Sequence, residues 1–395
     1  MNKLLLQNAK IITEKTMIQN GYLLIENDKI TDFGKCTKMP EITDARVLTL
    51  SEDQTILPGF IDQHIHGVCG ADTMDATANA LRTMAKSLPA EGTTSFLATT
   101  ITQSDQQIVK ALQNGKQYML EENKTGQAEM LGIHLEGPFI HEHTAGAQPE
   151  KFIIKPQLSL FKKWQKLSGD NIKIVTLAPD KEGANTLIRY LAEQQIVASI
   201  GHTEAAYEKV QQAIEDGALQ CTHLFNAMKG IHHREPGTAG AVLTADKLSA
   251  ELIADGIHVH PAIVKLAIKA KGIERVILIT DSMRAKSLAE GEYDLGGQQV
   301  HVKNGKALLA NGTLAGSILK MDQAIRNVRE FAGVSLQEAA QLASLNPAKQ
   351  LRVDDRKGSI AIGKDADLVV LDNQLHVSLT ICRGKIAYGR GGDFT

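Results

Sequence analysis

Leu57-Pro58-Gly59-Phe60-Ile61-Asp62-Gln63-His64-Ile65-His66-Gly67 reads as a short apolar strand that ends in two histidines spaced i, i+2. Strand side chains alternate between faces, so both imidazoles point the same way and can meet one metal ion. The spacing alone does not decide the matter, because the chain's 13 histidines also supply His141-x-His143 and His258-x-His260. What sets His64 and His66 apart is the pattern that begins with them.

From Gln54 onward, apolar strands alternate with stretches of helical spacing, the signature of βα units and a parallel sheet. Strands are expected at 55–62, 94–99, 130–135, 172–177, 196–200, 220–223, 248–254 and 275–279, with helices between them, for example at 78–88, 106–120, 184–193, 205–214 and 261–271. Eight such units predict an α/β fold, a closed (β/α)8 TIM-type barrel. Residues 291–309 carry glycines and short β runs that predict a hairpin insertion on the barrel mouth. Helices follow at 321–332 and 336–343, the second ending before Asn346-Pro347.

Residues 1–54 alternate short β-like runs with turns, and the tail from 351 to 395 returns to that pattern. Both ends are expected to pair into one small β-sandwich domain beside a metal-dependent barrel at 55–350.

A hydrophobic share of 43% and a charged share of 22% are ordinary for a globular chain, which argues against disorder and against a membrane protein. The formal net charge of −2 offers no basic field to hold nucleic acid or an anionic membrane surface, and leaves room for a local anion site. Leu4-Leu5-Leu6 is broken by Gln7-Asn8 and is too short for a signal segment; a cytoplasmic protein is expected. Cys36, Cys69, Cys221 and Cys382 lie far apart without a Cys-x-x-Cys pair and read as buried reduced thiols.

Barrels of this type place active-site residues at the C-terminal ends of their strands. Strand one ends in His64 and His66, strand three in Glu136, strand five in His202, strand six in His223 and strand eight in Asp281. Imidazoles and carboxylates suit zinc, iron, cobalt or manganese without choosing among them. If Glu136 bridges two ions, His64 and His66 with Asp281 serve one, while His202 and His223 serve the other. Such ions assist hydrolysis of an amide or ester, with Asp281 able to move a proton. Asn226 and Ala227 after strand six, with Arg234 and His258, suggest a phosphate seat, since Arg234 offers a forked donor set. A solvated turn with surface ion pairs is the plainer alternative for that group. His134 reads as a core or supporting residue, His141 and His143 as an exposed polar loop, and His260 as a helix start.

Taken together, Gly132-Ile133-His134-Leu135-Glu136-Gly137-Pro138-Phe139, Gly201-His202-Thr203, Thr222-His223-Leu224-Phe225-Asn226-Ala227-Met228, Arg234-Glu235-Pro236-Gly237 and Asp255-Gly256-Ile257-His258 resemble the N-acetylglucosamine-6-phosphate deacetylase family of the amidohydrolase superfamily. The resemblance implies deacetylation of a phosphorylated amino sugar, with Glu136, His202 and His223 as core metal ligands and Asp281 as the acid/base residue. It implies Asn226, the Ala227 backbone and His258 at the sugar phosphate, and a homodimer in which Arg234 reaches the neighbouring site. His64-x-His66 is similar to the two-ion form of the family rather than its one-ion Gln-x-Asn form. Gln148 stands where some members carry a substrate-facing histidine; it can hydrogen-bond substrate but cannot serve as a proton donor of variable charge. The galacto epimer of the substrate is the nearest alternative, and a non-catalytic barrel is disfavoured because every strand-end ligand position is filled.

Overall fold

The computed structural model describes residues 3–392; the outermost residues of the expected terminal domain, 1–2 and 393–395, lie outside the described residues. Eight parallel strands form the barrel: Phe60–Ile65, Thr93–Thr100, Glu129–Glu136, Ile172–Leu177, Val197–Ile200, Gln220–Cys221, Ser249–Ile253 and Val276–Ile279. Each is followed by a helix, from Ala78–Ser87 after the first to Met321–Ala332 after the eighth. The ring is nearly closed, and the seam between the first and eighth strands is stitched where the site begins. Asp281 N donates to His64 O at 2.9 Å, and His66 N donates to Ser282 O at 2.9 Å.

The floor of the barrel is apolar. Ile61, Leu97, Leu131, Ile174 and Val197, from five successive strands, pack together with Ala348 beneath them. Burying each such aliphatic chain is worth about 1.5–3 kcal/mol, which makes this layer a stable base for the polar one above.

The expected first strand at 55–62 is divided. Thr55–Pro58 belongs to the terminal sheet, pairing with Lys10-Ile11 on one side and Leu368–Leu371 on the other, and the barrel strand starts at Phe60. Gly59 marks the passage because a Cβ there would lie 2.3 Å from the Thr94 side chain. The terminal sheet has eight strands drawn from both chain ends. Leu368 and Val370 point into its own apolar core with Leu6, Leu23 and Ile25, while Val369 and Leu371 pack on barrel residues such as Phe60 and Ile277. That double burial explains an apolar run with no polar alternation.

The insertion at the mouth has three antiparallel strands, Gly291–Leu295, Gln298–Lys303 and Lys306–Leu308, one more than a hairpin. The helix from Leu336 does not stop before Asn346-Pro347. It passes through a π-turn at Gln341–Leu345, where Asn346 N reaches back to Gln341 O, into Asn346–Gln350, and Pro347 follows directly on this widened turn. Cys36, Cys69, Cys221 and Cys382 are all free, but Cys36 and Cys69 are only partly buried. Among the described residues no helix is long and apolar enough to cross a membrane.

Candidate metal centre

The barrel ladder is irregular between Asp62 and Ile65, so simple alternation fails there. Consecutive residues Gln63 and His64 both reach the carboxylate of Glu251, with Gln63 Nε2 2.9 Å from Oε1 and His64 Nδ1 2.9 Å from Oε2. His66 still joins His64 on the pocket side. His64 Nε2 lies 3.3 Å from Glu136 Oε1 and 3.4 Å from Asp281 Oδ1; His66 Nε2 lies 3.3 Å from Glu136 Oε2 and 3.2 Å from Asp281 Oδ1. His202 Nε2 and His223 Nε2 approach Glu136 Oε1 at 3.3 and 3.2 Å and each other at 3.2 Å. All six expected ligand side chains are therefore brought together. Their atoms fall into two close groups, His64 with His66 and Asp281, and Glu136 with His202 and His223.

Backbone strain accompanies this convergence. His202, His223 and Asp281 have φ of 50°, 28° and 47°, in the left-handed region that side-chain-bearing residues avoid. Their neighbours hold them there: Leu224 N donates to Glu251 O, and Ser317 N donates to Asp281 O.

The donor set fits a divalent cation. A carbonyl only accepts, so His202 Nδ1 must donate to Thr144 O at 2.9 Å, which leaves a bare lone pair on Nε2 of the neutral ring. The Glu251 carboxylate fixes His64 in the same tautomer, and His64 Nε2 is buried without a hydrogen bond. Imidazole nitrogens crowded around Glu136 and Asp281 call for positive charge among them, which a bound cation supplies and which protons on the rings supply in its place. Charge balance says the same. Burial disfavours an imidazolium at His64, yet Glu136, Asp281 and Glu251 outweigh it and hold its pKa well above the usual range. Burial likewise opposes charge on His66, but hydrogen bonds to Asp281 and Glu136 push it up to about 10. Asp281 is buried, which alone would raise its pKa, but the charges of His64 and His66 bring it down to about 2. A buried group of ionised carboxylates is costly without positive charge beside it.

A pocket of about 420 Å³ opens above these ligands, lined by His66, Glu136, Gln148, His202, His223, Asn226, Ala227, His258 and Asp281 among others. Leu295, from the three-stranded insertion, closes one side. His258 Nδ1 lies 2.6 Å from Asp255 Oδ2; burial opposes its protonation, but that hydrogen bond and charge prevail and raise its pKa. Arg234 does not line this pocket. It sits in the exposed run 229–235, its guanidinium 2.6 Å from His233 Nε2, so a phosphate seat joining Arg234 and His258 within one chain is not formed.

His134 is a neutral packing residue, as its place below the site suggests. Its Nδ1 lies 3.2 Å from Gln63 O and its Nε2 2.7 Å from Thr176 Oγ1, and burial, reinforced by His64, lowers its pKa to about 3. His260 caps its helix by accepting from Ala262 N. His143 is exposed but lines the pocket edge, with Nδ1 3.1 Å from Glu204 Oε2. Glu251 went unrecognised in the sequence; its signal is a lone carboxylate within the apolar run Leu248 to Ala254.

This arrangement, a (β/α)8 barrel with imidazole and carboxylate ligands at its strand ends and a sheet built from both termini, is that of the amidohydrolase family, whose pattern matches residues 55–387; the chain belongs to that family. Within it the similarity is to amino-sugar phosphate deacetylases. An N-acetylglucosamine-6-phosphate deacetylase of Bacillus subtilis (strain 168) is 50% identical over 98% of this chain and 97% of its own length. An N-acetylgalactosamine-6-phosphate deacetylase of Escherichia coli O157:H7 is 38% identical over 86% of this chain and 89% of its own. The solved structure of a mutant Mycobacterium smegmatis N-acetyl-D-glucosamine-6-phosphate deacetylase, in complex with N-acetyl-D-glucosamine-6-phosphate, superposes with a TM-score of 0.91 at 32% identity, covering 98% of this chain and all of that one.

Proposed function

We propose that the chain hydrolyses the acetamide of N-acetyl-D-glucosamine 6-phosphate to D-glucosamine 6-phosphate and acetate, a step of amino-sugar catabolism. One observation carries the reading: four imidazoles and two carboxylates converge on the floor of a pocket large enough for a phosphorylated sugar. The activity named for the relatives supports it.

In this reading His64, His66 and Asp281 hold one divalent ion, and Glu136, His202 and His223 hold a second. Zinc, iron, cobalt or manganese suits such ligands, and bound there the metal supplies Lewis acidity toward a carbonyl oxygen and toward water. Asp281, ionised at neutral pH, takes a proton from the attacking water and later delivers it to the departing amine nitrogen. His258, its pKa raised by the Asp255 carboxylate, and the Asn226 side chain with the Ala227 backbone meet the phosphate end. Arg234, exposed and outside its own pocket, completes the phosphate seat of a neighbouring subunit in a homodimer. Residues 60–350, the expected 55–350 less the strand Thr55–Pro58, form the catalytic unit between the two parts of the terminal domain, and the free thiols suit a reducing cytoplasm.

The test is acetate release from both epimers, measured in parallel on protein purified without chelator, together with its metal content. No release from either sugar by metal-loaded protein ends the reading. A higher kcat/KM for N-acetylgalactosamine 6-phosphate, the substrate named for the Escherichia coli O157:H7 relative, moves it to that epimer. One ion per chain counts against the second site.

A further inference from the structure

Gln148 lines the pocket, and both polar atoms of its amide are held by the protein. Thr102 N lies 2.7 Å from Gln148 Oε1, and because a backbone N–H can only donate, the amide orientation is fixed. Gln148 Nε2 must then face Glu136, and it donates to Oε2 at 2.7 Å. Only 5% of the residue is exposed, which leaves little of it for a ligand. The segment that carries Gln148 is itself pinned. Gln148 N donates to Ala145 O at 3.0 Å, and Gln298 Nε2, from the insertion, donates to Ala147 O at 2.6 Å.

The far end of the clamp depends on a close approach. Gly137, next to Glu136, has φ of 71°, and a Cβ there would lie 2.0 Å from Thr102 Oγ1. Any larger residue would push Thr102 away from Gln148. The result is a chain of donors running from the end of the second barrel strand, through Gln148, onto one oxygen of Glu136. The other oxygen, Oε1, is left to the Nε2 atoms of His64, His202 and His223 at 3.2–3.3 Å. Without the clamp, Oε2 keeps only the His66 Nε2 contact at 3.3 Å, and the carboxylate loses the shortest of these contacts.

We propose that Gln148 is a positioning residue that locks the rotation of the Glu136 carboxylate, rather than a substrate contact. The inference rests on Glu136 being a metal ligand, and its test does not require that the substrate be correctly assigned. Gln148→Met keeps the length and removes both polar atoms; Gln148→Glu replaces the donor with a second acceptor; Gln148→His retains a ring N–H. Purified wild-type and variant proteins are dialysed against graded chelator, and retained Zn2+ is measured per chain beside thermal unfolding. The Met and Glu variants are expected to lose metal at about ten-fold weaker chelation than wild type, with the His variant between them and the wild type. In turnover the same variants are expected to lower kcat while KM stays within about two-fold. Unchanged metal retention with a raised KM would make Gln148 a substrate contact and overturn the proposal, as would no change in either quantity. Should the Met variant fail to fold, the contrast between Glu and His variants decides on the same readout.

Discussion

Glu251 Oε2 lies 2.9 Å from Nδ1 of His64, beneath the ligand cluster and shielded from solvent. Its other oxygen accepts from Gln63 Nε2 and Gln220 Nε2, each at 2.9 Å, so the carboxylate cannot turn away. The pair fixes the His64 tautomer and increases its basicity toward a cation, as second-sphere carboxylates do. Glu251→Gln keeps the shape and removes the charge. It is expected to weaken metal binding about 10–100-fold on the His64 and His66 side, so that metal content per chain falls below that of wild type. Metal content equal to wild type after dialysis would show that His64 needs no such partner.

The convergence of the six candidate ligands was legible because a parallel barrel gathers its strand ends on one face, whatever the exact length of each strand. Gln220–Cys221 is only a two-residue strand, yet His223 still arrives beside Glu136. Glu251 was not legible, because its role depends on the ladder irregularity after Asp62, and no residue in the Gln63-His64 stretch signals an extra turn toward the interior. The break at Gly59 was hidden for a related reason: Thr55–Pro58 and Phe60–Ile65 are buried on both faces, so one apolar run covers strands of two sheets. The helical path through Asn346-Pro347 departs from the proline rule because the π-turn at Gln341–Leu345 widens the ladder just ahead of Pro347.

Metal binding should release protons. In the metal-free cluster His66 has its pKa raised to about 10, so at neutral pH the ring is protonated before a cation arrives. A cation taking the Nε2 lone pair must displace that proton, and its apparent affinity therefore rises with pH through the neutral range. Calorimetric titration of chelator-stripped protein with Zn2+, repeated in buffers of different ionisation enthalpy, should give a net release of about one proton or more per chain. Heats that do not depend on the buffer would contradict the charge state assigned to the cluster.

The junction between the barrel and the terminal sheet should fail in acid over a defined window. Asp365 is buried, which alone would raise its pKa, but Lys357 at 3.1 Å, Lys29 at 2.5 Å and Arg356 at 2.7 Å outweigh burial and lower it from 3.8 to about 2. A carboxylate with a depressed folded-state pKa contributes stability above its unfolded value, and the contribution is lost as pH falls from 3.8 to about 2. Asp365→Asn should therefore lower Tm at pH 7, and the gap from wild type should close toward pH 2. A gap of constant size across that range would mean that Asp365 acts through packing instead of charge.

Arg234 and Asp281 allow the proposed homodimer to be tested by complementation. Arg234 is exposed and absent from its own pocket, whereas Asp281 lies at the pocket floor of the same chain. Arg234→Ala should raise KM for the phosphorylated sugar at least about ten-fold, and Asp281→Asn should lower kcat by about 10²-fold or more. If Arg234 serves the neighbouring site, a heterodimer of the two variants contains one intact site, made of Asp281 from the Arg234→Ala chain and Arg234 from the Asp281→Asn chain. Random pairing of equal amounts puts half the chains in heterodimers, so activity should recover to about a quarter of wild type on mixing under conditions that exchange subunits. Two variants that each damage only their own chain's site cannot rescue one another. Recovery therefore requires a shared site, and its absence, with exchange verified by differently tagged chains, assigns Arg234 to its own subunit's surface.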